Sequence, residues 1–258
     1  MKKASLILIS VIILLGVFCF FWLTPKYAVP ILAYHSVAYK EDSPFVVPEN
    51  FIKQMEYIKK KGYEVITLDE LVESIKNKKR LKRNKVVITF DDGYKNNFEY
   101  AYPILKKFGF PATIFLATNY IGNDERFLDW DQVRIMSKNN ISFGSHTKAH
   151  FYLGVINDEK GAFEEIVGSK KRIEQEIGIA VDYFCYPGGG FNERVKEIVK
   201  QAGYKGACAT NRGFVNFNKD AYELKRIKVN NSDGVKPFSF WMKLKGYYNL
   251  IRKKKNPY

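Results

Sequence analysis

The sequence predicts an α/β fold, a closed parallel barrel of about seven β/α units with one transmembrane helix before it. Seven short apolar or β-branched segments alternate with amphipathic helical segments along the chain. Strands that alternate with helices are usually parallel, and about seven of them favour a closed barrel over a small open sheet. The uncharged run over residues 4–23 predicts the transmembrane helix, because about 20 apolar residues cross a bilayer.

The predicted elements follow one another in a regular order. The strands cover residues 30–36, 86–90, 112–117, 141–144, 181–186, 206–210 and 224–229. The helices cover residues 48–62, 71–75, 98–108, 130–136, 163–177 and 195–202. Several helices end at a glycine, which predicts left-handed C-caps at Gly62, Gly109, Gly178 and Gly203.

The length and composition fit one globular domain, because 258 residues with 46% apolar content can bury a single large core. We expect a membrane anchor over residues 1–24, a linker over 25–29, the barrel domain over 30–235 and a basic amphipathic helix or tail over 236–258. Lys2 and Lys3 precede the apolar run, so the positive-inside tendency places the rest of the chain outside the membrane. The expected location is the bacterial cell membrane with a single span, or secretion if the N-terminal segment is cleaved.

The formal net charge of +15 is concentrated in two segments, residues 76–85 and 236–255. On an anchored, outward-facing protein such segments can meet anionic lipid headgroups or an acidic cell-wall polymer. The alternatives are a solvated loop for the first segment and a terminal helix packed on the barrel for the second. An outward-facing domain rarely meets nucleic acid, so we expect no nucleic-acid partner, and we expect a monomer.

Two cysteines lie outside the predicted anchor, Cys185 and Cys208, and both fall in strand-like text. Small buried thiols are the first interpretation of this pattern. A disulfide is the alternative, since exported proteins can form one.

Two adjacent carboxylates, Asp91 and Asp92, follow the strand predicted over residues 86–90, and Gly93 provides a permissive turn after them. Residues at the carboxyl ends of barrel strands form the reactive face of such folds. One of the acids could instead cap the following helix, but capping needs only one acid.

Two of the three histidines, His146 and His150, are four residues apart at another strand end. On a helical turn they would share one face and could reach the same cation. Two imidazoles and one carboxylate leave a coordination position open for water, as in catalytic zinc sites. The second carboxylate could then accept a proton from that water, and a cation would also relieve the repulsion between the two acids.

The third histidine, His35, ends the first predicted strand and is therefore expected on the same rim. A lone histidine after a strand is more often structural. Its expected position beside the metal site makes it the candidate that protonates a leaving group.

These residues resemble the metal-dependent polysaccharide deacetylases of carbohydrate esterase family 4, the NodB homology domain. The resemblance is carried by "TFDDG" at residues 89–93 and by the His-x-x-x-His pair, and it extends from about residue 30 to 229. It implies a distorted, TIM-like (β/α)7 barrel. It also implies that Asp92, His146 and His150 bind one divalent metal, zinc or another divalent transition metal, and that Asp91 is the catalytic base.

The segment "FCYPGGG", residues 184–190, resembles the third motif of the family, an Arg-x-Pro-Tyr-Gly type segment that lines the groove. The resemblance implies substrate contacts from Tyr186 and Pro187 and an oxyanion-binding N–H from Gly188. Cys185 stands where the arginine that orients the base is expected, so the support of Asp91 is unaccounted for.

The remaining motifs resemble the circularly permuted branch that contains the biofilm poly-β-1,6-N-acetylglucosamine deacetylases. The late strand "ELKRIKVNN" has no histidine, whereas a Tyr-His pair comes early and "FLDWDQV" lies between the first two motifs. In that branch His35 would be the general acid, Asp129 would orient it and Trp130 would wall the acetyl pocket. The alternative for Asp129 is an N-cap of the following helix.

The resemblance implies an extracellular hydrolase that removes N-acetyl groups from a polysaccharide, with poly-N-acetylglucosamine first, then peptidoglycan, then chitin oligomers. Tyr34, Tyr94 and Tyr186 could line the sugar groove, with core packing as the alternative for each. A barrel that binds glycans without catalysis is the non-enzymatic alternative. A phosphatase of the haloacid dehalogenase type is disfavoured, because its acids are spaced as Asp-x-Asp.

Overall fold

The structure is a computed structural model that describes residues 2–23, 29–39, 44–79, 81, 84–155, 158–210 and 220–245. The strands are β1 Ile31–Tyr34, β2 Ser36–Val37, β3 Phe45–Val46, β4 Glu64–Val65, β5 Lys85–Phe90, β6 Ala112–Leu116, β7 Ile141–Ser145, β8 Tyr183–Cys185, β9 Gly206–Ala209 and β10 Leu224–Lys228. The α-helices are α1 Lys2–Leu23, α2 Pro48–Lys60, α3 Leu68–Lys76, α4 Tyr102–Phe108, α5 Trp130–Ser137, α6 Glu159–Ile177, α7 Glu193–Gln201, α8 Asn231–Val235 and α9 Pro237–Leu244. A π-helical turn, Asn97–Ala101, precedes α4, and short 3-10 turns lie at Leu153–Val155 and Pro187–Gly189.

Seven parallel strands close the barrel in the order β1, β10, β9, β8, β7, β6, β5 and back to β1. Closure comes from β1, which pairs in parallel with β10 on one side and with β5 on the other. The short β4 extends the sheet beside the start of β5, and β2 and β3 pair separately. The seven-stranded parallel barrel predicted from the sequence is confirmed, and all seven predicted strands form.

Side chains along each strand alternate between the barrel interior and the layer beneath the helices, as the period of two requires. The interior cluster includes Ile31, Val87 and Phe115, and it also contains Cys185 and Cys208. The two cysteines are opposite each other on β8 and β9, and both thiols are buried and free. The prediction of two buried thiols is confirmed.

The predicted glycine caps also form. Gly109 and Gly178 end α4 and α6 in the left-handed conformation, at φ 68° in both cases. Gly62 and Gly203 have positive φ as well, one residue beyond the C-caps of α2 and α7.

The N-terminal prediction needs a correction. Over the part of the chain that the structure describes, no helix combines the length and the apolar character needed to cross a membrane. The predicted single-span location at the cell membrane is therefore wrong on this finding. The predicted linker lies largely outside the described residues, and so does the predicted basic tail beyond Lys245.

Candidate active site

Asp91 and Asp92 lie at the carboxyl end of the barrel, directly after β5, and both are buried. The Asp91 N–H donates to the Tyr34 carbonyl at 3.0 Å, which extends the pairing of β5 with β1. The chain then turns at Asp92, φ 71°, and at Gly93, φ 82°. A Cβ atom at Gly93 would lie 2.6 Å from the Leu116 side chain, so the turn requires glycine.

The Asp91 carboxylate is held by Arg226, an interior-facing residue of β10. The two guanidinium Nη atoms donate to the two carboxylate oxygens at 2.6 and 2.7 Å. One Nη also lies 2.9 Å from the Cys185 sulfur, and the other donates to Thr89 Oγ1 at 3.1 Å. This bidentate pair fixes the orientation of Asp91.

Arg226 orients Asp91. The sequence left this role without a candidate, because Cys185 stands where the orienting arginine is expected. The sequence contained a signal for it. In the strand text "ELKRIKVNN", the interior positions of β10 are Leu224 and Arg226, and a charged residue at an interior position needs a partner.

Burial acts to raise the pKa of Asp91, but the charge of Arg226 and its two hydrogen bonds hold that pKa well below its usual range. Because the folded pKa is depressed, the ionised carboxylate stabilises the fold above the unfolded pKa of about 4, and this contribution is lost as the pH falls further. Asp91 is therefore ionised throughout the neutral range.

We expect Arg226→Met to lower the free energy of unfolding by about 3–5 kcal/mol, because it leaves a buried carboxylate without its partner. Urea denaturation at neutral pH measures this loss. The double variant Asp91→Asn/Arg226→Met removes both charges and should recover most of it. A single variant as stable as the wild type would show that the pair does not hold the site together.

His146 and His150 lie on the loop after β7, at the same end of the barrel. The His146 N–H donates to the Leu116 carbonyl at 2.9 Å, which extends the β6–β7 pairing. The residues that follow are not helical, and Thr147 and His150 have positive φ, 66° and 57°. The expected helical turn is therefore wrong. The two imidazoles meet through left-handed loop residues instead, with ring centroids 4.9 Å apart.

Asp92 Oδ1 lies between the two imidazoles, 3.5 Å from His146 Nε2 and 3.3 Å from His150 Nε2. This oxygen is buried and has no hydrogen-bond partner among the described residues. A tetrahedral zinc site with ligand bonds of about 2.0–2.2 Å places neighbouring ligand atoms roughly 3.3–3.5 Å apart. The donor atoms therefore fit one metal ion, as the grouping of these three side chains indicates.

The surroundings of His146 keep its ring neutral and its Nε2 lone pair available to a metal. Its Nδ1–H donates to the Cys185 carbonyl at 2.7 Å, so the lone pair is on Nε2, the atom that faces Asp92. Burial lowers the pKa of His146 to about 3. Burial also lowers the pKa of His150, whose side chain is 44% exposed. Both rings are neutral near pH 7, as metal binding requires.

Glu165 of α6 binds the loop that carries His146 and His150, the histidine loop. Its carboxylate accepts from the N–H groups of Lys148 and Ala149, both at 2.9 Å. No local sequence pattern indicates this contact, because a single glutamate on a polar helix face is ordinarily solvated.

His35 follows β1, with its Nε2 4.0 Å from Asp91 Oδ2 and its side chain 22% exposed. Its Nδ1 is buried and has no hydrogen-bond partner among the described residues. Within the described part of the chain, Asp129 forms no hydrogen bond or ion pair with His35. Asp129 is the N-cap of α5, accepting from the Gln132 N–H at 2.8 Å in a capping box. The structure therefore favours the capping alternative for Asp129.

The aromatic residues expected in the groove have different positions. Tyr34 and Tyr186 are fully buried core residues, and their hydroxyls donate to Gln54 Oε1 and to the Tyr222 carbonyl. The structure therefore favours core packing for both. Tyr94 is half-buried, and its hydroxyl is hydrogen-bonded to the Asp92 carboxylate.

Three further predicted residues lie on two elements. Trp130 begins α5 and packs beside Gly122 and Arg172. Pro187 is buried in the loop after β8, whereas Gly188 is exposed there at φ 62°.

Comparisons with known proteins agree with this arrangement. The profile of the family described as "Polysaccharide deacetylase" matches residues 78–207. The chain is 32% identical to YxkH of Bacillus subtilis (strain 168), covering 78% of this chain and 71% of that protein. It is 27% identical to the poly-β-1,6-N-acetyl-D-glucosamine N-deacetylase of Staphylococcus aureus (strain MRSA252), covering 72% and 68%.

A solved structure shows the same fold. The Streptococcus pyogenes deacetylase PplD, in complex with acetate, superposes with a TM-score of 0.74 at 25% identity, covering 80% of this chain and 96% of that one. Sequence and structural similarity thus extend over most of the described barrel. The chain belongs to the polysaccharide deacetylase family, and it is a hydrolase of the kind that acts on N-acetyl amides.

Proposed function

We propose that this chain is a metal-dependent N-deacetylase that removes acetyl groups from N-acetylglucosamine residues of an extracellular polysaccharide, with residues 30–235 as its catalytic domain. The observation that carries the proposal is Asp92 Oδ1, a buried acceptor that faces two neutral imidazoles and has no hydrogen-bond partner among the described residues. An uncompensated buried oxygen is costly, and a cation at this point would compensate it. Zinc is the first choice because the donor set and spacings suit it.

A divalent cation held by Asp92, His146 and His150 would polarise the amide carbonyl and acidify water. Asp91 is the base in this scheme, since Arg226 keeps it ionised and fixed in orientation. Its depressed pKa makes it a weak base, so its role depends on that acidification. The Gly188 N–H is proposed to bind the oxyanion.

His35 is proposed as the general acid that protonates the departing amine. Its Nε2 lies 4.0 Å from Asp91 Oδ2, and its side chain is partly open to solvent. Base and acid are then separate groups. The products are acetate and a free amino sugar.

Poly-N-acetylglucosamine remains the first choice of substrate. It is the polymer named for the Staphylococcus aureus relative. The rim of the site is also suited to a sugar chain, because Phe151 and Tyr152 follow His150 and are 52% and 44% exposed. Exposed rings offer apolar faces against which pyranose rings can pack. Peptidoglycan and chitin oligomers are the alternative substrates.

The non-enzymatic alternative, a glycan-binding barrel, rested on the missing arginine at Cys185. Arg226 supplies that group from β10, so the structure offers this alternative no support.

Acetate release from equal amounts of poly-N-acetylglucosamine, peptidoglycan and chitin oligomers tests the proposal. We expect release to be fastest from poly-N-acetylglucosamine. Faster release from one of the other polymers would make that polymer the substrate in place of poly-N-acetylglucosamine. No release from any of the three by metal-loaded protein would contradict the proposed reaction.

Metal binding should weaken at acidic pH because of Asp92. Burial raises the pKa of Asp92 to about 6, the charge of Asp91 adds to this rise, and His35 acts against it. Below that pH the proton competes with the metal for the carboxylate, so the zinc dissociation constant should rise about tenfold per pH unit, and it should level off above it. Chelator competition between about pH 5 and 7.5 measures this. A constant affinity over that range would show that Asp92 is not a ligand.

A further inference from the structure

A column of three stacked aromatic rings stands beside the proposed metal site. Tyr94 stacks on Phe127 at 4.9 Å between ring centroids and 20° between planes, and Phe127 stacks on Tyr120 at 4.9 Å and 19°. All three rings are half-buried, on the loops after β5 and β6. We infer that this column positions the metal ligands by holding the Asp92 turn against the His146–His150 loop. The inference rests on the proposed metal site.

One end of the column holds Asp92. The Tyr94 hydroxyl is hydrogen-bonded to the Asp92 carboxylate. The Oδ1 atom of that carboxylate faces the two imidazoles. The carboxylate of a metal ligand is commonly oriented in this way by a hydrogen bond from outside the ligand set.

The other end holds the histidine loop. The Tyr120 hydroxyl donates to the Ala149 carbonyl at 3.4 Å, directly before His150. The segment just before Tyr120 is bonded to the same loop, because the N–H groups of Thr118 and Asn119 donate to residues 147 and 148 at 3.2 and 2.8 Å.

The backbone around the column is paired as well. Tyr94 and Phe127 form an antiparallel bridge, and the Leu128 N–H donates to the Gly93 carbonyl at 2.9 Å. Asp92 and His150 both adopt the left-handed conformation, which non-glycine residues adopt only where surrounding contacts hold them. Stacking at Phe127 is the contact common to both ends, so its loss should loosen both ligand loops.

The test is zinc affinity of the metal-free full chain, measured by competition with a chromophoric chelator. We expect Phe127→Leu to weaken zinc binding by about 10–100-fold, the usual effect of losing an outer partner of a metal ligand. Tyr94→Phe keeps the stack but removes the Asp92 hydrogen bond, and should weaken binding too. Phe127→Tyr keeps the stack and should bind zinc as the wild type does.

The matched control is Phe108→Leu. Phe108 is also half-buried and stacked, on Phe110 at 5.5 Å and 24°, but it lies at the end of α4, near the opposite end of the barrel. It should leave zinc affinity unchanged. If Phe127→Leu and Tyr94→Phe both bind zinc within about two-fold of the wild type, the inference is wrong while the proposed function stands. If the wild type binds no divalent metal, the proposed function fails first.

Discussion

Asp91→Asn should lower the rate of acetate release by about 10²–10⁴-fold and leave zinc bound, the usual contribution of a positioned general base. Asparagine has nearly the same shape as aspartate and can still accept a hydrogen bond from Arg226, but its amide cannot accept the proton from water. The measurement pairs acetate release with the zinc content of the same protein sample. Retained zinc also shows that the site has folded.

The matched control is Asp182→Asn, the same change at an acid that bridges Lys205 just before β8, at the other end of the barrel. It should leave acetate release unchanged. Normal turnover by Asp91→Asn would remove Asp91 from the mechanism and leave the reaction without a base.

His146→Ala should abolish both zinc binding and acetate release. His146 is buried, and its Nε2 is fixed toward Asp92 by the hydrogen bond from Nδ1 to the Cys185 carbonyl. The loss of a direct ligand should exceed the roughly 10–100-fold loss in affinity that follows removal of an outer partner. Zinc affinity and acetate release are measured together.

His35→Gln is the control for this variant, because His35 is not one of the three grouped side chains. It should keep zinc and lose turnover through the missing acid. If His146→Ala bound zinc as tightly as the wild type, the ligand set Asp92, His146 and His150 would be wrong.

The barrel could be predicted from the sequence because its strands carry their own signals. Each predicted strand is a short apolar or β-branched segment between turn residues, and each forms within a few residues of its predicted bounds. The two-residue strands β2, β3 and β4 were not predicted, since segments this short have no periodicity to recognise.

The site was predictable in part. Asp91, Asp92, His146 and His150 were found because ligand-type residues stood at strand ends, where a parallel barrel brings them together. The contact of Arg226 with Asp91 was missed because 135 positions separate the two residues along the chain. The segment from His146 to His150 was expected to be helical, because residues four apart share one face only in a helix. In the structure, loop residues in the left-handed conformation bring the two rings together instead.

The sequence also could not show which aromatic side chains are buried in the core and which lie at the site. Tyr34 directly precedes His35 and Tyr94 follows Asp92 by two positions, yet Tyr34 points into the core and Tyr94 lies beside Asp92. Side chains along β1 alternate between the barrel interior and the layer beneath the helices, and Tyr34 lies in the second of these. Only the register of β1 with β5 shows which residues of β1 face the interior.

The most direct test of the account is acetate release from poly-N-acetylglucosamine by one preparation in three states: as purified, after complete removal of metal by a chelator, and after one equivalent of zinc is returned. We expect release to stop on metal removal and to recover with zinc, while the Asp91→Asn variant stays inactive throughout. Undiminished acetate release from protein shown by metal analysis to be free of metal would contradict the proposed role of Asp92, His146 and His150.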